Sequence, residues 1–382
     1  MRDHAQSREE IPNELVAWRS ARVGRPPLRR GVDRPVRCVR KQSGVARGMI
    51  AGAAPTPKAV AVVLLPALVL MLAFAFSYVG AFHEPTPHNV PLAVVGPPSV
   101  ATQLDQLPGD PLDTREAPSR SDALSQIDDR KVYGAYDVAA KRLFVASAAN
   151  RATAIALEQT FDRVAAAQGR PAARVTDVKP LPPKDPNGTA AFYAVIAWVF
   201  GGYIGATLIG LIGTPRSRSH ARAAARIGAL AGFGVVAGIL SVILLRACFG
   251  VFAGHVAALC AIAALTIFAS GAATAGIQAA AGPAGTGLVI LLFVILGNPA
   301  PGGPFARPLL SGLWRTIGGV LPPGASVDLG RSALFFDGAR IAGPILVLVG
   351  WTALGTALVI ALGGRIVTMV EAETEAAAGA AL

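Results

Sequence analysis

The sequence predicts a mainly α-helical membrane protein with six transmembrane helices. It also predicts a small α/β extracytoplasmic domain between helices 1 and 2, and two short re-entrant or interfacial helices between helices 5 and 6. Three observations support this fold class. Of 382 residues, 53% are hydrophobic and 15% are charged, several uncharged stretches are long enough to cross a bilayer, and a polar segment, 83–190, interrupts them.

The net charge of +12 is concentrated beside the apolar stretches. Residues 1–58 contain 13 lysine and arginine residues against five acidic ones. The segment 213–226 adds four arginines: Arg216, Arg218, Arg222 and Arg226. Basic residues are typical of the cytoplasmic flanks of transmembrane helices. Because no nucleic-acid-binding signature accompanies the charge, the pattern indicates membrane topology and argues against a nucleic-acid partner.

The first predicted span is 59–82, which contains 24 residues and no charge. As a helix it would be about 36 Å long, enough for a hydrocarbon core of about 30 Å. A signal peptide is the alternative, but its apolar region usually has only about 7–15 residues. We therefore expect a retained membrane anchor.

The preceding segment, 1–58, is rich in arginine and proline and is predicted to be a basic, disordered cytoplasmic tail. Met49 is a second candidate start, ten residues before the first span. The region before it is therefore either dispensable or a gene-start artefact. Peptides from upstream of Met49 in the native protein would exclude the artefact.

Five further spans are predicted in a transmembrane domain at 191–365. They are 191–212, 227–246, 251–278, 279–297 and 341–362. The boundary between the third and fourth of these is the least defined, because no charge separates them. Six crossings that start inside give an extracytoplasmic domain at 83–190, an external loop at 298–340, and both termini, including the tail 366–382, in the cytoplasm.

The segment 83–190 alternates β-like runs with one amphipathic helix. Four strands are predicted, at 90–95, 132–138, 142–146 and 173–178, and the helix is predicted at 150–167. In the helix the apolar residues recur every three or four positions, and Gly169 follows its end. This alternation indicates a small α/β domain.

The sequence contains no recognisable catalytic or cofactor-binding motif. None of the three cysteines, Cys38, Cys248 and Cys260, falls in 83–190, so no disulfide framework is expected there. His83 and His88 are too few ligands for a metal site, and the run 128–131 (DDRK) is interpreted as a solvated charge cluster. Because there is no GxxxxGK[ST] motif, ATP would act only through a partner subunit, and we expect no enzyme activity in this chain.

Two further features concern packing. Gly201 with Gly205, and Gly228 with Gly232, have the GxxxG spacing that allows helices to approach closely. We favour contacts within one subunit over a dimer face. In the loop 298–340, two short helices are predicted around 309–317 and 326–336, each too short to span. Their arginines, Arg315, Arg331 and Arg340, are expected to face water or headgroups, with Trp314 near the membrane interface.

A family resemblance is found in the segment 297–338, which contains GNPAPGG, LWRTIGGVLPPGASVD and LGRSALFFDG. Together with one leading span, an external domain and five further spans, it resembles the ABC type 2 exporter permeases. It is most similar to the phage-infection-protein-like (Pip/YhgE-like) branch of Gram-positive bacteria. The resemblance covers about residues 59–365.

This resemblance implies a homodimeric or heterodimeric subunit in the bilayer of a bacterial cell membrane, moving a lipid, amphiphile or drug-like substrate outward. It implies a separate ATP-binding cassette subunit as the energy source. The loop that carries Arg216, Arg218, Arg222 and Arg226 would contact that ATPase. The helices that carry Trp314, Arg315, Asp328 and Arg331 would border the outer exit. The alternative is a non-transporting envelope protein that anchors or senses through 83–190, and a membrane enzyme ranks last.

Overall fold

The computed structural model describes residues 57–212, 219–252, 254–282 and 284–363. It begins with a long helix, α1 (Pro57–Phe82), which tolerates Pro66 in its interior. The tails 1–56 and 364–382, with Met49 and Cys38, lie outside the described residues, as does 213–218. The predictions for the two tails therefore stay predictions.

A five-stranded mixed sheet forms the core of the α/β domain in the described residues. Its strand order is β2–β1–β3–β4–β5, with β3 and β4 antiparallel and all other neighbours parallel. In chain order, the elements are β1 (Val90–Val95), α2 (Pro98–Asp105), β2 (Leu112–Glu116), α3 (Arg120–Asp128), β3 (Gly134–Asp137), β4 (Arg142–Val145), α4 (Arg151–Ala167) and β5 (Arg174–Asp177).

Both faces of this sheet are covered, because its parallel strands are joined by crossover helices. Helices α2 and α4 pack on one face around Leu92, Leu143 and Leu157. Helix α3 packs on the other face around Ile127 and Phe144.

Strands occur at all four predicted positions, and α4 begins one residue after its N-cap, Asn150. The Asn150 side chain accepts a hydrogen bond from the Thr153 backbone N–H at 3.0 Å, which starts the helix. The sequence reasoning missed β2, α2 and α3. Strand β2 (LDTRE) has one buried residue, at the sheet edge, and both helices are shorter than three turns, so none has a clear apolar period.

The remaining long helices form a bundle that joins the α/β domain at one end. They are α5 (Ala190–Ile212), α6 (His220–Phe249), α7 (Val256–Ala281) and α11 (Ala342–Leu362). With α1, these are five helices in the described ranges that are long and apolar enough to cross a membrane. We call the bundle end that joins the α/β domain the domain end, and the opposite end the distal end.

Helix α7 lies at the centre, in contact with α5, α6 and α11. Close approach of backbones makes this packing dense. A Cβ atom added at Gly238 of α6 would lie 2.7 Å from the Ala264 backbone nitrogen of α7. One added at Gly276 of α7 would lie 2.7 Å from the Gly355 carbonyl oxygen of α11. Small residues let helices in a membrane maximise van der Waals contact in this way.

The glycines singled out by their spacing behave differently from one another. A Cβ atom at Gly205 would lie 2.9 Å from the Phe233 ring of α6, so this glycine packs within the chain. At Gly201, Gly228 and Gly232 it would meet nothing within 4 Å in the described part of the chain. The favoured contact within one subunit is therefore seen at Gly205 and not at these three glycines among the described residues.

The predicted span 279–297 differs from the other spans. It is a short helix, α8 (Ala284–Val289), that continues as a π-helix over Ile290–Leu296. Thirteen residues give about 20 Å of α-helix, against about 30 Å of hydrocarbon. At one end of the segment, Gly285 packs against the backbone of Gln278. At the other end, the hydroxyl of Ser77, near the domain end of α1, donates to the Ile295 carbonyl at 2.5 Å.

Helix α8 begins three residues after the end of α7. Near that end, the Gln278 amide donates to the Thr207 hydroxyl of α5 at 3.0 Å. A sixth full-length helix is absent from the described residues. The predicted count of six crossings therefore stays a prediction.

The loop 298–340 contains α9 (Gly312–Ile317) and α10 (Pro322–Phe335), close to the two predicted short helices. The loop reaches deep into the bundle. Thr266 of α7 donates to the Ser326 hydroxyl at 2.8 Å, and the Trp351 indole of α11 donates to the Val320 carbonyl at 2.8 Å. Both donors lie about 15 Å along their helices from the domain end. The loop therefore enters the bundle from the domain end, and we call it the re-entrant loop.

Gly355→Ala tests the close approach of α7 and α11. The added methyl group would meet the Ala272 backbone, which cannot move aside as a side chain can. We therefore expect the free energy of unfolding to fall by about 1–3 kcal/mol. Gly350→Ala on the same helix is the matched control, because a Cβ there meets nothing within 4 Å. Thermal unfolding in detergent measures both, and equal midpoints would contradict this packing.

Candidate functional site

The loop 298–340 and the α/β domain share their hydrophobic cores. Ala306 and Leu309 of the loop belong to the cluster under α2 and α4. Phe336, at the end of α10, belongs to the cluster under α3. The loop is therefore held on both faces of the sheet, and it links the domain to the bundle.

Asp328 of α10 lies at the centre of this junction and binds two arginines. Its Oδ2 lies 2.5 Å from Arg307 Nη2, and its Oδ1 lies 3.4 Å from Arg130 Nη2. Arg130 also donates to the Asp328 carbonyl at 2.9 Å and to the Ser332 hydroxyl at 2.5 Å. The Arg130 and Asp328 side chains are 14% and 16% exposed, so water screens this pair weakly.

The position of Arg130 contradicts part of the prediction that the run 128–131 is a solvated charge cluster. Lys131 pairs with Asp129 at 2.8 Å on the surface, as expected of a solvated charge cluster. Arg130 instead turns inward from a left-handed backbone conformation (φ 56°) just after α3. Such a conformation is uncommon for a residue with a side chain and is held by its surroundings, here the contacts to α10.

Arg331 is a second correction, because it is buried and does not face water or headgroups. Its guanidinium donates to the Gly302 carbonyl at 2.9 Å and to the Gly303 carbonyl at 2.8 Å. These two carbonyls match the arginine fork and replace the lost water. Burial, followed by repulsion from Arg130, lowers the pKa of Arg331 to about 10, so it stays charged at neutral pH.

Tyr133 lies within the same electrostatic environment. Burial raises the pKa of its phenol, and the negative charge of Asp328 acts in the same direction. The phenol therefore keeps its proton at neutral pH and is able to donate a hydrogen bond.

Trp314 and Arg315 of α9 lie apart from the Asp328 junction, and each makes its own contacts. The Trp314 indole N–H donates to the Ser77 hydroxyl of α1 at 3.0 Å, and its ring packs against Gly80. Arg315 donates to the Leu310 carbonyl at 3.2 and 3.3 Å. The four predicted outer-exit residues thus fall into two groups, one against α1 and one, with Asp328 and Arg331, at the domain junction.

A second polar cluster lies near the distal end of the bundle. Arg226 of α6 donates to the Ala206 carbonyl at 3.2 Å and lies 3.5 Å from the Gln278 side-chain oxygen. The Gln278 amide donates in turn to Thr207 at 3.0 Å and to Thr286 at 3.3 Å. Arg226 and Gln278 are buried, so this cluster joins α5, α6, α7 and α8.

The four arginines predicted to form one basic loop are therefore not equivalent. Arg226 points into the bundle, whereas Arg222 is exposed in the first turn of α6, which Ser219 caps through a bond from the Arg222 N–H at 3.3 Å. Arg216 and Arg218 lie outside the described residues.

Arg130 and Arg307 are the junction residues that sequence reasoning missed. Arg130 and Asp328 are separated by 198 positions in the chain, so no local spacing connects them. Among the described residues, no three histidine, cysteine or acidic side chains are grouped to hold a metal ion.

Apolar helices of spanning length, with a soluble domain tied to a re-entrant loop, define a multi-pass membrane protein. The chain matches the family profile described as ABC-2 family transporter protein over residues 59–361, and it belongs to that family. It is a membrane permease component of an ABC transporter, a non-catalytic part that generally works with an ATP-binding cassette subunit. Comparison with curated proteins and with solved structures finds no match.

Asp328→Asn tests the junction. The change leaves Arg130 and Arg307 partly buried without their shared anion, so we expect the free energy of unfolding to fall by about 2–3 kcal/mol. Asp113→Asn is the control, since Asp113 pairs with Arg115 at 3.4 Å with both side chains about half exposed, and its loss should cost less than about 1 kcal/mol. Equal shifts in thermal unfolding would contradict a central role for Asp328.

Proposed function

We propose that this protein is the membrane-spanning permease subunit of an ABC-type exporter in a bacterial cell membrane. It moves a lipid, amphiphile or drug-like substrate outward with energy from a separate ATPase, as part of a homodimer or heterodimer. Within that family, the sequence of the loop 298–340 resembles the Pip/YhgE-like branch. The observation that carries the proposal is the division of the chain into two specialised ends, a domain with a re-entrant loop at one and basic arginines at the other.

The distal end is proposed to be cytoplasmic and to contact the ATPase. Arg222 offers an exposed cation there, and Arg226 four residues later binds the polar cluster around Gln278. Movement of the start of α6 would therefore displace groups on α7 and α8 through this cluster. Buried polar clusters respond as a unit, because an unpaired member is costly in a low dielectric.

The domain end is proposed to be the outer exit. Helix α10 connects the middle of α7 to the domain, since Ser326 accepts a hydrogen bond from Thr266 of α7 while Asp328 binds Arg130 of the domain. A displacement of α7 is thereby transmitted to the loop and to the α/β domain. This contact chain supports coupling in which ATP hydrolysis on one side changes the exit on the other.

The alternative function is a non-transporting envelope protein that anchors or senses through its extracytoplasmic domain. The observation in its favour is that the α/β domain has a covered sheet of its own, with cores on both faces. The two functions differ in one respect. Only the exporter requires communication between the arginines of the distal end and a bound ATPase.

Replacing Arg216, Arg218 and Arg222 together by glutamate tests that communication. Reversing three charges should oppose docking of the ATPase, and we expect stimulation of ATP hydrolysis to fall at least about tenfold, equivalent to about 1.4 kcal/mol. The assay uses the protein purified with its ATP-binding cassette subunit and reconstituted in lipid.

The matched control carries Arg163, Arg170 and Arg174 changed to glutamate, three exposed arginines of the α/β domain with the same change in charge. This control should retain stimulation. If no ATPase accompanies the native protein and no substrate leaves loaded vesicles, the exporter proposal fails and the envelope function takes its place.

Membrane topology is tested with single cysteines in a variant whose Cys38, Cys248 and Cys260 are serine. Glu158→Cys, on the exposed side of α4, should react with an impermeant maleimide in intact cells. Arg222→Cys should react only after the membrane is permeabilised. The reverse pattern would invert the proposed orientation, and with it the direction of transport.

A further inference from the structure

A cavity of about 450 Å³ lies between the α/β domain, the re-entrant loop and the start of α11. Its lining has an unusual charge composition. Five cationic side chains and one acidic one face it: Arg115, Arg130, Lys131, Arg307, Arg340 and Asp328. We propose that this cavity binds the phosphate group of an anionic amphiphile or phosphate ester.

The protein balances the positive charge of the cavity only in part. Asp328 is shared between Arg130 and Arg307. The surface partners of Arg115 and Lys131 are Asp113 and Asp129, and neither of these lines the cavity. Counting the three carboxylates of Asp113, Asp129 and Asp328 against the five cations leaves two positive charges, and a bound anion would neutralise this excess.

The chemistry of the lining suits phosphate, because its several oxygens can engage more than one arginine at once. Guanidinium groups present planar forks that bind phosphate oxygens in pairs, and four of the five cations are arginines that come from different elements. Tyr133 also lines the cavity, and its protonated phenol supplies a neutral donor. A volume of about 450 Å³ is large enough for a phosphate with the glycerol or sugar to which it is esterified.

The location identifies the two sources of such a phosphate. Ala342, Gly343 and Pro344, the first turn of α11, form one wall, so the cavity lies where this helix leaves the bilayer. A lipid headgroup can enter from the membrane side, and a soluble phosphate ester can enter from water. The site goes beyond the proposed function, because a bound headgroup requires neither transport nor an ATPase.

The test uses the full-length protein and the double variant Arg115→Gln with Arg340→Gln, which leaves the Arg130–Asp328–Arg307 bridge intact. Arg170→Gln with Arg174→Gln is the control, since it removes two exposed arginines of the α/β domain that do not line the cavity. Thermal unfolding should be the same in all three proteins. Native mass spectrometry then measures retention of phosphatidylglycerol and phosphatidylcholine, and calorimetry measures binding of inorganic phosphate.

We expect the unmodified protein to retain phosphatidylglycerol at least about tenfold better than phosphatidylcholine, and the cavity variant to lose about tenfold in affinity. The control variant should change less than about twofold. Binding of inorganic phosphate without lipid retention also supports the site and assigns it to a soluble ester. Equal retention of both lipids with no phosphate binding, or equal losses in the two variants, would overturn the proposal.

Discussion

Backbone contact around the central helix α7 is the constraint on which the rest of the structure depends. Membrane helices gain little from the hydrophobic effect between themselves, so dense packing must supply the attraction. The pairs Gly238–Ala264 and Gly276–Gly355 bring α6 and α11 against α7 at distances that no larger residue permits. With α7 held on several sides, its hydroxyl groups can bind partners inside the bundle, and α10 can be anchored there.

Helix α10 links the bundle to the α/β domain. Its Ser326 accepts a hydrogen bond from Thr266 of α7, its Asp328 pairs with Arg130 of the domain, and its Arg331 donates to carbonyls of the loop. Charged groups at such depth need paired partners, and they find them in Arg130, Arg307 and the carbonyls of the loop. A helix with contacts in both environments ties the bundle to the α/β domain.

The two polar clusters of the chain have different physical characters. At the distal end Arg226 is enclosed with Gln278 by helices on every side, so it links elements and presents little surface. At the domain junction the positive charges exceed the negative ones and line a cavity that opens beside the start of α11. The first arrangement is suited to transmitting movement, and the second to holding a ligand.

The sequence alone was enough to predict the class of protein, because spanning helices need long uncharged apolar runs, and such runs are visible without a structure. It also determined the α/β character of 83–190 and the short helices of the loop, since alternation and helical spacing are local patterns. The tertiary structure was needed to show that Arg130 meets Asp328, that Arg331 is buried, and that the helix in 279–297 is short. These outcomes depend on contacts between residues far apart in the chain, which no local pattern records.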